Sequence, residues 1–323
     1  MVDVLKLVRI QNLAIIALTQ YVIRHAIICP ILRVNNFELQ LGHFDFFILV
    51  LATVLTTAAG YVINDYFDTR TDLVNRPSRV LVGKTINRRT AIMLHWAFSF
   101  TGILFGFYAA FRAGFLLLGF LFIIVFLLLW FYSTTLKRQV IVGNIVVSVL
   151  VGMVPLVVLI FEIPALIRGI DSEFSFRYAN INYMIAWTGF FAFFAFLLSL
   201  IREIIKDIED FEGDRAFGRK TLPVVVGVTF TRLVVAGLIV LTLVSLGYIY
   251  IIYLLTGLYG DTDLITFFYF LILIALPLLV LFYRILTATD KSDFIYAKNL
   301  SKVIMLAGIM YAFLVRFIIL QSL

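Results

Sequence analysis

Cys29 is the only cysteine in this 323-residue chain, and there are only three histidines, His25, His43 and His95. A lone cysteine excludes an internal disulfide and a thiolate metal centre, and histidines so far apart have no ligand spacing, so neither redox nor zinc chemistry is indicated. Charge is scarce too. Asp, Glu, Lys and Arg make up 14% of the chain and hydrophobic residues 63%, whereas soluble domains carry about 25% charged residues. That excludes an ordinary water-soluble domain and leaves an integral membrane protein. The formal net charge of +7 does not argue for nucleic acid as a partner, because basic residues in a multispanning chain mark cytoplasmic loops.

What the sequence has in plenty is long apolar runs. A spanning helix needs roughly 20 apolar residues, and nine segments qualify: about 12–32, 44–64, 90–111, 114–133, 140–161, 183–204, 231–254, 264–286 and 301–320. Lys6 and Arg9 before the first run resemble a signal peptide's start, but Arg24 and His25 interrupt that run and no small-residue cleavage site follows, so it is read as a retained helix. An arginine at that depth implies either a cavity-facing side chain or a broken helix. With the N-terminus inside, Arg70, Arg76, Arg79, Lys84, Arg88, Arg89, Lys137 and Arg138 all fall in cytoplasmic loops, which satisfies the positive-inside rule. The expected location is the cell (inner) membrane, with the N-terminus cytoplasmic.

The acidic residues are clustered. Nine of the 19 lie in two short windows, 64–72 and 203–214. Asp65, Asp68 and Asp72 are spaced by three and four, as are Asp207, Asp210 and Asp214, at a constant offset of 142; "NRPSRVLVG" follows the first window and "GRKTLPVVVG" the second. This is an internal repeat. On a helix, such spacing puts three carboxylates within about 60° on one face, where like charges repel. One such cluster could be a solvated helix end; two matching clusters after apolar runs point to a bound cation. Carboxylate rows suit a hard divalent ion, and Mg²⁺ takes only one or two carboxylates and completes its shell with water and phosphate oxygens. A phosphorylated ligand is therefore implied. Lys137 and Arg138, Arg79, and Lys206 can surround a diphosphate, and Asn64 can add a neutral oxygen.

These residues carry a family resemblance. "NDYFDTRTD" at 64–72 resembles the N-D-x-x-D-x-x-x-D pattern of the UbiA family of intramembrane prenyltransferases, and "DIEDFEGD" with "GRKTLP" resembles its second acidic motif. "RIQN" at 9–12, the Tyr132–Lys137 loop and the count of nine helices extend the likeness over nearly the whole chain. The resemblance implies a single all-α domain over 1–323: nine transmembrane helices around a central cavity, capped by cytoplasmic acidic loops. It implies that Asn64, Asp68 and Asp72 serve one Mg²⁺ and Asp210 and Asp214 the other, both bridged by the diphosphate of an allylic prenyl donor, with Asp65, Asp207, Tyr132 and Asn12 in support. The acceptor would be a membrane-associated lipid or aromatic compound. "REIIKDIEDFEGDRAFGRKTLP" looks most like the glycerol-phosphate ether-lipid branch; an aromatic polyprenyltransferase of the quinone pathway is the alternative. Two other classes use similar carboxylates. A CDP-alcohol phosphotransferase needs an Asp-Gly-x-x-Ala-Arg segment that this sequence lacks, and a cation transporter needs its carboxylates near mid-bilayer.

The loop charges generate a topology prediction. Epitope tags after Gly83 and after Gly218 are expected on the same, cytoplasmic face in a protease-protection assay; opposite faces would separate the two acidic motifs.

Overall fold

The computed structural model describes residues 2–169, 181–255 and 263–320. Among these, nine helices are long and apolar enough to cross a membrane: α1 Ile10–Val34, α2 His43–Asn75, α3 Arg88–Ala113, α4 Leu116–Arg138, α5 Val142–Gly169, α6 Ile181–Glu209, α7 Val228–Leu254, α8 Leu264–Thr287 and α9 Lys291–Leu320. Only one isolated bridge, Val82 with Ile86, interrupts the all-α character of the described residues. The nine expected spans are all present, and several run past their apolar cores. A helix satisfies its own backbone hydrogen bonds, which lipid demands of it, and nothing forces it to stop where water begins.

That overrun changes the first acidic motif. The segment after residue 64 was expected to be a loop, yet α2 continues to Asn75, where Arg76 breaks it with φ −151°. Thirty-three residues make a helix about 50 Å long, against roughly 30 Å of hydrocarbon. Asp65, Asp68 and Asp72 therefore sit on helical turns beyond the apolar stretch, away from the mid-bilayer depth of a transporter's carboxylates. The second motif is built differently. α6 ends at Glu209, Asp210 leaves helical geometry (φ −93°, ψ 7°), and a short helix, Phe211–Ala216, follows. The sequence repeat is thus not a conformational repeat, and the one-face reading holds for the first motif only.

The fold divides into two compact units, Met1–Gln139 with Met153–Gly189, and Val140–Gly152 with Phe190–Leu323, so that α5 contributes to both. In the first unit α2 and α3 form an antiparallel pair. His95 Nδ1 lies 2.9 Å from the Ala59 carbonyl, and Arg88 stacks over Tyr66 at 4.3 Å. The contact is close because α3 has glycine where α2 is nearest: a Cβ on Gly102 would stand 2.6 Å from Thr56 Oγ1. Small residues play this role in membrane helices, where contact and not hydrophobicity drives association. In the second unit an aromatic cluster joins α6, α8 and α9, with Phe270 and Tyr311 ring centroids 4.6 Å apart and Tyr269 Oη donating to the Ala307 carbonyl at 2.7 Å.

Three spans contain a wide π-helical turn: Ile23–Ile28, Tyr250–Leu254 and Phe270–Ala275. In α1 and α8 the turn directly precedes a proline, Pro30 and Pro277. Proline lacks the N–H that would close an ordinary turn and its ring crowds the preceding carbonyl, so the widened turn accommodates it within a continuous helix. Of the two alternatives for α1, the helix is locally distorted but not broken, and Arg24 is buried within the turn.

Gly102→Val is expected to destabilise the α2–α3 pair by about 1–3 kcal/mol, the usual cost of overpacking. A melting series in detergent checks it; an unchanged midpoint would mean that the contact is not tight.

Candidate active site

In the first unit the last turns of α2 meet the end of α4. α4 closes in a 3₁₀ turn, Leu136–Arg138, which turns the Lys137 side chain inward to a buried position. Its ammonium donates to Asp68 Oδ1 at 2.6 Å and to Asn64 Oδ1 at 3.3 Å. Asn64 and Asp68 are one helical turn apart, so their oxygens share a face, and here both reach one cation. Asp68 is buried at 7% exposure and Asp72 is half-buried one turn further on. Asp65 serves another purpose: Arg9 donates to its Oδ1 at 2.7 Å while lying 4.8 Å from the Tyr61 ring centroid. Arg9 holds a left-handed backbone (φ 53°) just before α1, a conformation uncommon outside glycine. Asn12 donates to Tyr61 Oη at 3.3 Å, so the "RIQN" segment is tied to α2 by both its ends.

The second unit has a cluster of its own. Asp207 accepts from Asn144 Nδ2 at 2.8 Å. Asp214 is buried and paired with Arg219 at 3.3 Å, and its backbone N–H bonds the Asp210 carbonyl, which sets the short helix. Lys206 lies 3.8 Å from Glu203, which Arg202 also holds at 2.5 Å. Glu209 and Lys298 form a buried ion pair between α6 and α9. The two units thus share a pattern. The aspartate that opens each motif is held by a side chain from another helix or its approach, Arg9 on Asp65 and Asn144 on Asp207.

Of the remaining sequence-predicted residues, Arg138 is exposed and Tyr132 half-buried. Arg79 lies in a 3₁₀ turn, Pro77–Arg79, with its side chain outside the described residues. Sequence reasoning missed Asn144, Lys298 and Glu209 as contributors. A lysine near the start of an apolar helix is a usable signal, since ionisable residues there are seldom idle. Asn144 gave none beyond being polar.

The donor set is all oxygen. Among the described residues no three His, Cys, Asp or Glu side chains converge on one point. Two oxygens converging on an ammonium, with a further carboxylate one turn on, match the partial set a hard ion takes when water and phosphate supply the rest.

Nine helices long and apolar enough to span a membrane among the described residues, with two acidic motifs at helix ends, fit an intramembrane prenyltransferase. The chain belongs to the UbiA prenyltransferase family, whose model matches residues 38–312. It is 32% identical over 234 residues to the digeranylgeranylglyceryl phosphate synthase of Methanothermobacter thermautotrophicus, covering 72% of this chain and 74% of that one. The enzymes of the same name from Thermococcus sibiricus (32%) and Thermococcus kodakarensis (33%) match over 56% and 62% of their own lengths, less than two thirds. Solved structures share the fold. A UbiA homolog from Aeropyrum pernix K1 gives a TM-score of 0.58 at 17% identity over 92% of this chain and 96% of that one. A homolog from Archaeoglobus fulgidus, bound to DMAPP and Mg²⁺, gives 0.55 at 17% identity over 96% and 99%.

Lys298→Met is expected to destabilise the protein by about 3–5 kcal/mol, because it leaves Glu209 buried without its cation. Lys298→Met with Glu209→Gln should recover most of the loss. Thermal melts of the single and double variants check this, and equal melting of both would mean that the pair is not coupled.

Proposed function

We propose that the protein transfers a prenyl group from an allylic prenyl diphosphate to a membrane-associated acceptor, with Mg²⁺ as cofactor and the hydroxyl of an isoprenoid glycerol phosphate as the favoured acceptor. The observation that carries this reading is the convergence of Asn64 and Asp68 on the Lys137 ammonium, a cation position made of oxygens. The names of the relatives support the acceptor. The homolog bound to DMAPP and Mg²⁺ supports the donor and the ion.

In this reading Asn64, Asp68 and Asp72 would hold one Mg²⁺ and Asp210 and Asp214 would hold another, as the family resemblance implies, with the donor's phosphate oxygens completing their shells. When bound, the ions neutralise charge that develops on the leaving diphosphate. Lys137 exchanges Asp68 for a phosphate oxygen, and Lys206, Arg138 and Arg79 add positive charge around the same group. The C–O bond to the diphosphate breaks, the acceptor hydroxyl oxygen forms the new ether bond, and its proton leaves with the released diphosphate. The apolar spans keep water from the allylic cation while the acceptor approaches. Both acidic motifs and the N-terminus face the cytoplasm by the charge of their loops.

Membranes carrying the protein are incubated with labelled geranylgeranyl diphosphate and a panel of glycerol phosphates, hydroxybenzoates and naphthoates, and the product is identified by mass. Turnover should require Mg²⁺ and vanish on chelation. Asp68→Asn and Asp210→Asn should each abolish transfer, and Asp68→Asn should also lower apo thermal stability, because the buried Lys137 ammonium loses that carboxylate. Full activity in both variants would defeat the assignment. An aromatic product would replace the acceptor while leaving the class intact.

A further inference from the structure

At the other end of α2 from the acidic motif, the first unit has a groove of about 610 Å³ lined by residues that include Phe44, Ile48, Leu104, Phe107, Tyr108 and Leu116. That volume falls in the range of small-molecule sites, about 300–1,000 Å³. Ile48, which lines the groove, and Asp68 are 20 residues apart on one helix, about 30 Å at 1.5 Å per residue, so the groove lies outside the reach of a diphosphate at Asp68.

Its rim is charged. Tyr108 Oη donates to Asp45 Oδ1 at 3.0 Å, and Arg112 Nε donates to Asp45 Oδ2 at 3.0 Å. Asp45 is buried, whereas the Arg112 side chain is 51% exposed, and its terminal amino groups make no hydrogen bond among the described residues. A second guanidinium stem lies by the end of α3: the helix stops at Gly114 (φ 86°), where a Cβ would stand 2.9 Å from Cδ of the exposed Arg168, and Gly114 lies in the chain between Phe111 and Leu116, two residues that line the groove. Two arginines and one carboxylate are thus gathered near the end of an apolar groove.

A hydrocarbon chain alone would need the groove and no arginines; a soluble phosphate would need the arginines and no groove. The combination is complementary to a phosphodiester with an attached chain, since Arg presents a fork to phosphate oxygens. We infer that this groove is a specific site for one anionic phospholipid of the leaflet opposite the acidic motifs, its chain against the aromatic wall and its phosphate on Arg112 and Arg168. The site is independent of prenyl transfer and holds whatever the acceptor is.

The test is native mass spectrometry of the purified full chain in detergent, titrated with phosphatidylglycerol or phosphatidylcholine of identical chains. The wild type should retain a single phosphatidylglycerol at least tenfold more strongly than phosphatidylcholine. Arg168→Gln should erase that preference, and Leu104→Trp, at a position 56% exposed, should fill the groove and weaken both lipids. Thermal melts of each variant confirm folding. Equal retention of the two lipids by the wild type, or unchanged phosphatidylglycerol retention in either variant, would overturn the inference.

Discussion

The ion pair of Lys137 with Asp68 is the contact on which the first half of the site depends. Both groups are buried, and a carboxylate and an ammonium taken out of water lose several kcal/mol of hydration each, which only good geometry returns. The pair makes the burial of Asp68 tolerable, and it draws the end of α4 onto the end of α2. Three carboxylates at helical spacing would otherwise repel one another with little water to screen them. A carboxylate buried in this way needs a positive partner, and here the lysine ammonium is one.

Much of this was legible in the sequence because hydrocarbon imposes a length rule that hydropathy reads directly. All nine spans could be counted, and the aspartate spacing marked the two motifs. The helix ends were less legible. Hydropathy falls at Asn64, yet α2 continues for eleven more residues, because nothing in "NDYFDTRTDLVN" opposes a helix: no Gly or Pro appears until Pro77. The second motif has the same spacing, but Asp210 leaves the helix and initiates the next one, a choice made by tertiary contacts and invisible in the pattern. Asn144 was hidden for a different reason: its partner, Asp207, lies 63 residues away, and a single sequence carries no signal of such a pairing.

Arg24 shows the same limit from the other side. The sequence marked it as costly inside a span and left its role open. In the fold it is fully buried over the Phe46 ring, 4.2 Å from the centroid, and donates to the Leu41 carbonyl. Glu162 accepts the N–H groups of Gln40 and Leu41 at 2.7 and 3.2 Å. One charged side chain thus satisfies the carbonyl of the α1–α2 connection and another its amides. Irregular backbone at this depth must find partners inside the protein, and two opposite charges supply both kinds at once while also compensating each other electrostatically.

Asp45 and Asp68 stand on the same helix, both buried and both facing a cation, yet the partners differ. Asp45 is held by the Arg112 guanidinium and the Tyr108 hydroxyl at once, one on each oxygen. Asp68 is held by a lysine. A guanidinium fixes a carboxylate through a rigid, planar fork, whereas an ammonium on a flexible four-carbon stem is a point charge that can change partner with little reorganisation. A permanent junction is best made with arginine. In the proposed function Asp68 would give up its partner to metal and diphosphate, and a lysine suits such an exchange; α2 carries a hold by arginine and tyrosine at one end and a lysine pair at the other.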